Sequence, residues 1–401
     1  MIRDTDSFLI VLAVAASAPL LAAACGRAVK SLIVPIVVFE IVLGAAIGPH
    51  GLKFAHLDET LDVLSTLGLA MLFFFAGYEI DLALVRGEPL RLAVIGWLLS
   101  VGLAYSLAGL LAAAGIVISG VLTGSALCTT AIGTILPVLR DNDQLGGRFG
   151  PMMLAAGAVG ELGPILIVTL VLTTTSDRVS QGLLLGAFVV LTVLSAIASS
   201  LSVRRWWEFI ARSMETSGQL PVRLTVLFLA ALVVLADHLG LDIILGAFAA
   251  GMIVRGILQD REDVEALNSK LEAIGFGFLI PFFFIQSGMK LDLSALTGGF
   301  DGIEKVPLFL AAFLVVRGTP AMLLYRRGLN RTERAGLALF SATELPIVVA
   351  ITSLGVSEGE MRPTTAVALV TAAVLSVLIF PTVAIAIRSR TKTRVATVGS
   401  A

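Results

Sequence analysis

Apolar stretches long enough to cross a lipid bilayer recur along almost the whole chain. The 401 residues are 57% hydrophobic and only 14% charged, whereas a soluble domain carries about 25% charged residues. A hydrocarbon layer roughly 30 Å thick is crossed by about 20 apolar residues in a helix. The strict alternation of apolar and polar residues that marks a membrane β-barrel is missing from the sequence. The sequence therefore predicts an all-α, polytopic membrane protein.

Thirteen apolar segments are predicted to span the membrane. The first could pass for a signal peptide, but the six residues before it are not basic, so we interpret it as a retained span. The tail after the last span is short, and no soluble regulatory domain is expected. The approximate limits of the segments are 7–24, 31–48, 61–79, 90–114, 116–139, 150–172, 181–201, 221–237, 241–257, 271–288, 306–325, 334–354 and 364–387.

The distribution of basic residues predicts an orientation. Of the 28 lysines and arginines, 21 fall on one side of the predicted topology and six on the other, with Arg317 inside a span. Cytoplasmic loops are enriched in basic residues. We therefore expect the protein to lie in the cell (plasma) membrane, with its N-terminus outside and its C-terminus in the cytoplasm. The net charge of −1 gives no basic footprint for a nucleic-acid partner.

Two halves of the chain resemble each other. The segment FEIVLGAA at 39–46 matches LDIILGAF at 241–248, and a second match aligns the phenylalanine triplets at 73–75 and 282–284. Corresponding spans are seven apart, and because seven is odd, the copies are expected to face opposite sides of the membrane. The sequence therefore predicts an inverted-topology repeat within one transport domain, 1–401. The predicted repeat halves are 31–172 and 241–388, with a linker span at 181–220.

Spans 5 and 12 carry hydroxyl residues and a proline at membrane depth. They read TGSALCTTAIGTILP at 123–137 and FSATELP at 340–346. Proline cannot donate the helical hydrogen bond and clashes with the preceding turn. Unwound backbone at this depth is tolerated only where protein or a cavity satisfies it. We therefore expect two discontinuous helices that form an ion site, with a simple proline kink as the alternative.

Glu161 lies about eleven residues into an apolar span that begins at Gly150. A charge at the bilayer centre costs at least roughly 2.5 kcal/mol, and burial favours the protonated carboxyl group. Such a group can hold either a proton or a hard cation, for which Thr129 and Thr130 could supply further oxygen ligands. We interpret Glu161 as a proton–cation exchange site. The alternative is a neutral glutamic acid that bonds between helices.

Arg317 lies in the middle of span 11 and stays charged, so it requires a buried partner. Both Glu344, one span later, and Glu161 are candidate anions. A buried pair of this kind can be purely structural, and the sequence does not choose between the two partners.

Other charges near the membrane are weaker candidates. Glu40 lies in the middle of span 2, and Glu79 at the end of span 3 could reach a cytoplasmic vestibule or be an interfacial charge. The two cysteines, Cys25 and Cys128, and the three histidines have no metal-ligand or disulfide spacing. With no nucleophile–base pair or phosphate-binding loop, we expect neither an enzyme nor a cofactor. Asp81 and Asp242 are predicted to be interfacial.

Short motifs between residues 8 and 388 follow one pattern. They are FEIVLGAAIGPHGL at 39–52, FAGYEID at 75–81, TTAI at 129–132, VLR at 138–140, LGAFAAG at 245–251 and PFFFIQSGM at 281–289. Together they resemble the membrane domain of the monovalent cation–proton antiporters, the sodium–proton exchanger and Kef-type group.

This resemblance implies a thirteen-helix fold with two crossing discontinuous helices, a homodimer, and alternating access by a moving core domain. The ion-site aspartate typical of the family falls on Glu161, its crossing-helix threonine on Thr129 or Thr130, and its basic residue on Arg317. Three positions depart from the pattern. Glu161 replaces aspartate, Gly160 stands where relatives have an acidic or amide side chain, and Ala-Thr-Glu344-Leu replaces Gly-Gly-Glu-Phe.

The expected function is secondary-active exchange of Na⁺ or K⁺ for H⁺, with a role in pH homeostasis. Because the predicted site has one carrier carboxylate and an arginine that does not titrate, we expect electroneutral exchange. Three alternatives remain open from the sequence: a K⁺ efflux pathway without strict coupling, an organic-solute transporter on the same fold, and a sensor or scaffold that does not transport.

Overall fold

A computed structural model describes residues 2–28, 35–79, 87–172, 186, 218–239, 243–258, 264–292 and 302–398. In these ranges the regular structure is helical, and no strand occurs. A π-helical turn at Gly275–Leu279 joins the helix Val264–Ile274 to the helix Ile280–Met289, and a 3₁₀ turn at Tyr325–Arg327 follows the helix Lys305–Leu324. The helices are α1 (Ile2–Ala28), α2 (Ile36–Ile47), α3 (Glu59–Tyr78), α4 (Glu88–Ala113), α5 (Gly120–Leu127), α6 (Ile132–Asp141), α7 (Phe149–Leu172), α8 (Leu220–His238), α9 (Ile243–Leu258), α10 (Val264–Ile274), α11 (Ile280–Met289), α12 (Lys305–Leu324), α13 (Arg331–Ser341), α14 (Pro346–Ser357) and α15 (Pro363–Val398).

The described helices agree with a multi-pass membrane protein. Nine helical segments within the described ranges are long and apolar enough to cross a bilayer, and 36–47, 120–136 and 243–258 are shorter apolar helices. Together these segments fall on every predicted span except 181–201, of which only residue 186 is described. The predicted count of thirteen spans therefore stays a prediction.

Polar side chains mark the starts of several helices. Asp58 accepts a hydrogen bond from the Leu61 N–H at 2.8 Å at the start of α3. Asn330 forms a capping box with Glu333 at the start of α13. Such caps satisfy main-chain N–H groups that have no partner within the helix. They fix where these helices begin.

Spans 5 and 12 are both interrupted, as the sequence predicts. The first interruption, residues 128–131, separates α5 from α6, and the second, residues 342–345, separates α13 from α14. Pro346 is the first residue of α14, a position where its missing N–H costs no helical hydrogen bond. Pro137 instead lies inside α6, so the first helix is interrupted before its proline. Our expectation that a proline marks both breaks is therefore wrong for span 5.

The chain divides into two compact units. The first contains residues 1–15, 56–81 and 165–286, and the second contains 16–55, 82–164 and 287–401. Each unit draws on both predicted repeat halves, so the units do not correspond to those halves. The repeat itself stays a prediction.

In the first unit, α3 and α9 pack closely at glycines. A Cβ atom at Gly77 would collide with the main-chain carbonyl group of Phe248, and one at Gly251 would collide with that of Phe74. Because lipid is as apolar as leucine, close packing at small residues is a main source of helix association in membranes. The two glycines therefore set the separation of this pair.

The second unit has an apolar core that holds α6, α7, α12, α13 and α15 together. The aromatic rings of Phe149 and Phe340 meet edge to face, 6.3 Å apart. This core supports the polar residues described in the next subsection. Its buried members include Ile132, Ile135, Leu139, Phe149, Met152, Met153, Ala321, Leu337, Phe340 and Ala384.

We predict that Gly251→Ala lowers the free energy of unfolding by about 1–3 kcal/mol, because the added methyl group overpacks the α3–α9 contact against main-chain atoms that cannot rotate away. The matched control is Gly102→Ala in α4, where a Cβ atom meets no atom within 4 Å. Thermal unfolding in detergent measures both. Equal midpoints for the two variants would contradict the close-packing account.

Candidate ion-binding site

The two helix interruptions meet and satisfy each other's main chain. The Ala131 N–H donates to the Thr343 carbonyl group at 2.9 Å, and the Thr130 hydroxyl group donates to the Ser341 carbonyl group at 2.6 Å. Helix ends leave N–H and C=O groups without helical partners, and such groups must be paired when they are buried. We call this meeting of residues 128–131 with residues 341–345 the junction.

The side chain of Arg317, which is 5% exposed, connects the junction to its surroundings. Its Nε and Nη2 atoms donate to the Thr130 Oγ1 at 3.0 and 2.7 Å, and Nε lies 3.4 Å from the Ser341 carbonyl oxygen. Nη1 donates to the Ser100 Oγ at 3.2 Å, and Nη2 to the Ala156 carbonyl oxygen at 3.2 Å. One guanidinium group thus joins α12 to α4, to α7 and to both interruptions.

The hydrogen bonds described for Arg317 end on hydroxyl and carbonyl groups rather than on a carboxylate. The sequence left Glu344 and Glu161 open as ion-pair partners. Glu344 is close enough to interact with Arg317 through space, but the guanidinium hydrogen bonds go to neutral acceptors. Neutral oxygen atoms can satisfy a buried guanidinium group because its donors are fixed in a planar fork.

Ser100 has two roles that the sequence analysis missed. Pro320 has no N–H to donate to the carbonyl group of Val316, four residues earlier. The Ser100 hydroxyl group donates to that carbonyl group at 2.9 Å while its oxygen accepts from Arg317. A serine near the middle of the apolar α4 span was the available signal.

Glu344 is fully buried within the second interruption. Its N–H donates to the Ser376 Oγ at 3.0 Å, and the Ser376 hydroxyl group donates to the Ala373 carbonyl group at 2.7 Å. Among the described residues, neither Glu344 carboxylate oxygen has a partner in hydrogen-bonding geometry. The Thr129 hydroxyl group lies nearby, but it donates to the Ala126 carbonyl group at 3.2 Å. The sequence analysis did not identify Ser376.

Glu161 is 4% exposed and lies in α7, directly after Gly160. A Cβ atom at position 160 would lie 2.7 Å from the Thr130 Oγ1 and closer still to the Arg317 Nη2, so α7 packs on the junction at Gly160. Pro164, inside α7, has no N–H to donate to the Gly160 carbonyl group. The main-chain carbonyl oxygen of Gly160, immediately before Glu161 in the chain, therefore does not accept a helical hydrogen bond from residue 164.

Trp97 attaches α4 to the first interruption. Its Nε1 donates to the Cys128 carbonyl group at 3.2 Å, and its ring lies where a Cβ atom at Gly163 would be. Cys128 is buried and its thiol is free of any disulfide, in keeping with the small packing residue that the sequence predicts. The tryptophan thus satisfies another carbonyl group near the end of α5.

The remaining predicted residues lie elsewhere in the fold. Glu40 is buried in α2. Glu79 follows α3, donates from its N–H to the Phe75 carbonyl group at 2.8 Å, and belongs to the first compact unit, whereas the junction belongs to the second. Asp81 and Asp242 lie outside the described residues. In the part of the chain that is described, no group of three or more His, Cys, Asp or Glu side chains could hold a metal ion.

Comparison with known proteins identifies the family. Residues 13–387 match the family model for the sodium/hydrogen exchanger, transmembrane. The chain belongs to this family. The resemblance proposed from the sequence motifs is thereby confirmed. The relatives described next carry names that identify them as antiporters.

Three relatives illustrate the similarity. The putative Na⁺/H⁺ antiporter YjbQ of Bacillus subtilis is 29% identical over 80% of this chain, and the match spans 54% of that longer protein. The probable Na⁺/H⁺ antiporter 3 of Methanocaldococcus jannaschii is 24% identical over 88% of this chain and 90% of its own length. The sodium proton antiporter MjNhaP1 of the same organism, solved at pH 8, shares the fold with a TM-score of 0.64 at 15% identity, covering 94% of this chain and 96% of its own.

We predict that Thr130→Val lowers the free energy of unfolding by about 1.5–3 kcal/mol, because hydrogen bonds to a charged group are among the stronger ones. The substitution keeps the shape but removes the acceptor of two Arg317 hydrogen bonds. Thr371→Val in α15 is the control, since its hydroxyl group bonds to the Val367 carbonyl group within the same helix at 2.7 Å. Equal unfolding midpoints for the two variants in detergent would argue against the Arg317 connection.

Proposed function

We propose that the protein is a secondary-active antiporter that exchanges a monovalent cation, Na⁺ or K⁺, for H⁺ by alternating access. The observation that carries this proposal is a buried carboxyl group, Glu161, on a helix packed against two interrupted helices whose junction holds a buried arginine. Membership of the sodium/hydrogen exchanger family and two relatives named Na⁺/H⁺ antiporters support it.

In this proposal the Glu161 carboxyl group binds a proton and a monovalent cation in turn. When protonated, it is neutral and compatible with its apolar surroundings. When deprotonated, it requires a cation, and hard monovalent cations prefer oxygen ligands. The Gly160 carbonyl group, to which Pro164 cannot donate, and the Thr129 hydroxyl group are the candidates that we propose for completing such a site.

Thr130 has a different role in this proposal. A threonine hydroxyl group has one proton and two lone pairs. In Thr130 the proton is directed at Ser341 and the lone pairs face two Arg317 nitrogens. Thr130 therefore holds the arginine in place, and the cation ligands come from its neighbours.

Coupling follows from the cost of an uncompensated charge in the membrane. A carboxylate with neither proton nor cation is expensive in an apolar environment, so the empty, charged form changes sides rarely. Protons cross the membrane in one half of the cycle and an equal number of monovalent cations in the other, so the exchange moves no net charge. Arg317 does not titrate and, with Glu344, contributes a fixed field.

The proposed setting is the plasma membrane, with the N-terminus outside, the C-terminus in the cytoplasm and two chains forming a homodimer. The excess of basic residues on one side of the predicted topology supports the orientation. No cofactor takes part, and the exchanged ions adjust intracellular pH.

We predict that Glu161→Gln reduces cation-driven proton movement to the level of empty liposomes, because the amide cannot give up a proton in exchange for a cation. Glu161→Asp is expected to retain exchange, since it keeps the carboxyl group. A pH-sensitive dye in proteoliposomes, read after addition of Na⁺, K⁺ or Li⁺, measures this. Glu360→Gln at an exposed site is the control and is expected to match the wild type.

Other outcomes point to other functions. Exchange by Glu161→Gln at the wild-type rate would show that the carboxyl group is not the carrier. Cation flux without proton counter-flow would indicate a K⁺ efflux pathway. A flux that depends on an organic solute but not on pH would indicate a solute transporter. A response to imposed membrane potential would contradict electroneutral exchange.

A further inference from the structure

Gly160 is a residue of α7 against which the Arg317 guanidinium group packs. A Cβ atom built at position 160 would overlap the Arg317 Nη2, would lie 2.7 Å from the Thr130 Oγ1 and 3.0 Å from the Thr130 Cβ. Real Cβ atoms do not approach other atoms so closely. The space that any other side chain would need at this position is therefore filled by the positively charged group and its hydrogen-bond partner.

A second contact places the guanidinium group against the same turn of main chain. Nη2 donates to the Ala156 carbonyl group at 3.2 Å. In an α-helix this carbonyl group also accepts the N–H of the residue four positions later, which is Gly160. Arg317 thus shares an acceptor with the Gly160 N–H, and the approach is possible because glycine has no side chain.

We infer that Gly160 is a positioning residue for ion exchange. Its lack of a side chain allows the Arg317 guanidinium group to lie against α7 immediately before Glu161. The protein's own fixed cation thereby occupies the place of a side chain at position 160. This inference rests on the proposed function, in which Glu161 binds the exchanged ions.

The neighbouring glycines show that this contact is specific. A Cβ atom at Gly318, next to Arg317 in α12, would lie 3.4 Å from the Leu314 Cδ1 and 3.5 Å from the Ala338 Cβ, which is ordinary van der Waals contact. At Gly157, one turn before Gly160, the obstruction is the aliphatic side chain of Ile132. Only at Gly160 in this set does the missing side chain make room for a charge.

The position of the charge bears directly on the carrier. A fixed positive charge near a carboxylate stabilises its ionised form and competes with a bound cation. An alanine at position 160 must push the guanidinium group away or tilt α7, and either movement separates Nη2 from the Ala156 carbonyl group and from Thr130. The affinity for the transported cation should therefore change, in addition to any effect on packing.

The test is a double-mutant cycle of wild type, Gly160→Ala, Arg317→Lys and the double variant, with Gly318→Ala as the steric control. Lysine keeps the positive charge but lacks the planar fork, so the alanine methyl group has room beside it. The apparent KM for Na⁺ and for K⁺ and the maximal exchange rate are measured in proteoliposomes. Unfolding midpoints are measured in detergent.

We expect Gly160→Ala to lower the ratio of maximal rate to KM by about tenfold or more, with a changed KM, and Gly318→Ala to stay within about twofold of wild type. In the Arg317→Lys background, Gly160→Ala should lower the ratio of maximal rate to KM only about twofold, because the effects of substitutions at residues in contact are not additive. The inference is overturned if Gly160→Ala behaves like Gly318→Ala, if its cost is the same in both backgrounds, or if KM is unchanged.

Failure of the proposed function gives a different result. If the wild type exchanges neither Na⁺ nor K⁺ for protons, the proposed function is wrong. The unfolding midpoints then test on their own whether Gly160 positions the Arg317 guanidinium group. A loss of midpoint in Gly160→Ala that Arg317→Lys relieves supports the positioning role of Gly160 toward Arg317. Equal losses in both backgrounds refute it.

Discussion

The burial of one arginine governs the arrangement of the second compact unit. Removing a charge from water costs several kcal/mol unless hydrogen bonds compensate it. Arg317 meets this requirement through Thr130, Ser100 and two main-chain carbonyl groups. Each acceptor lies on a different segment, so satisfying the guanidinium group fixes α4, α7 and the two helix interruptions around α12.

The interruptions and the arginine depend on each other. Unwound backbone inside a membrane must be satisfied by protein, and Thr130, Ser376 and Trp97 supply partners to groups at or beside the interruptions. Thr130 then serves a second purpose as an acceptor for Arg317. Among the described residues, the buried side-chain atoms of the junction that have no hydrogen-bond partner are the Glu344 carboxylate oxygens and the Ser341 Oγ.

Much of this arrangement could be predicted from the sequence because it depends on residue type. Apolar length places the spans, and hydroxyl residues with a nearby proline predict that both spans are interrupted, although Pro137 lies inside α6 rather than at the break. Charges at membrane depth single out Glu161, Arg317 and Glu344. These signals are local and need no knowledge of which helices touch.

The rest depends on how helices approach one another, which local patterns do not encode. Arg317 seemed to require a carboxylate, but the fold offers it hydroxyl and carbonyl oxygens instead. The first interruption precedes Pro137, where Cys128, Thr130 and Ala131 find hydrogen-bond partners on other segments of the chain. Gly160 looked like a missing polar residue, and only the packing shows that a guanidinium group fills its space.

The proposed mechanism assigns different roles to two charged side chains. Arg317 is held by many bonds and does not titrate, so it sets a constant field. In the proposed mechanism Glu161 gains and loses a proton, so it carries the changing charge. Proton release and cation binding are then one event, because the same carboxyl oxygen atoms would serve both.

Cation-dependent proton release from the purified protein tests this central claim most directly. Addition of Na⁺ or K⁺ to weakly buffered wild-type protein in detergent should acidify the solution by about one proton per cation bound, because the ligand group must be deprotonated. Glu161→Gln should release none. Equal release from the variant, or cation binding by the wild type without proton release, would contradict the account.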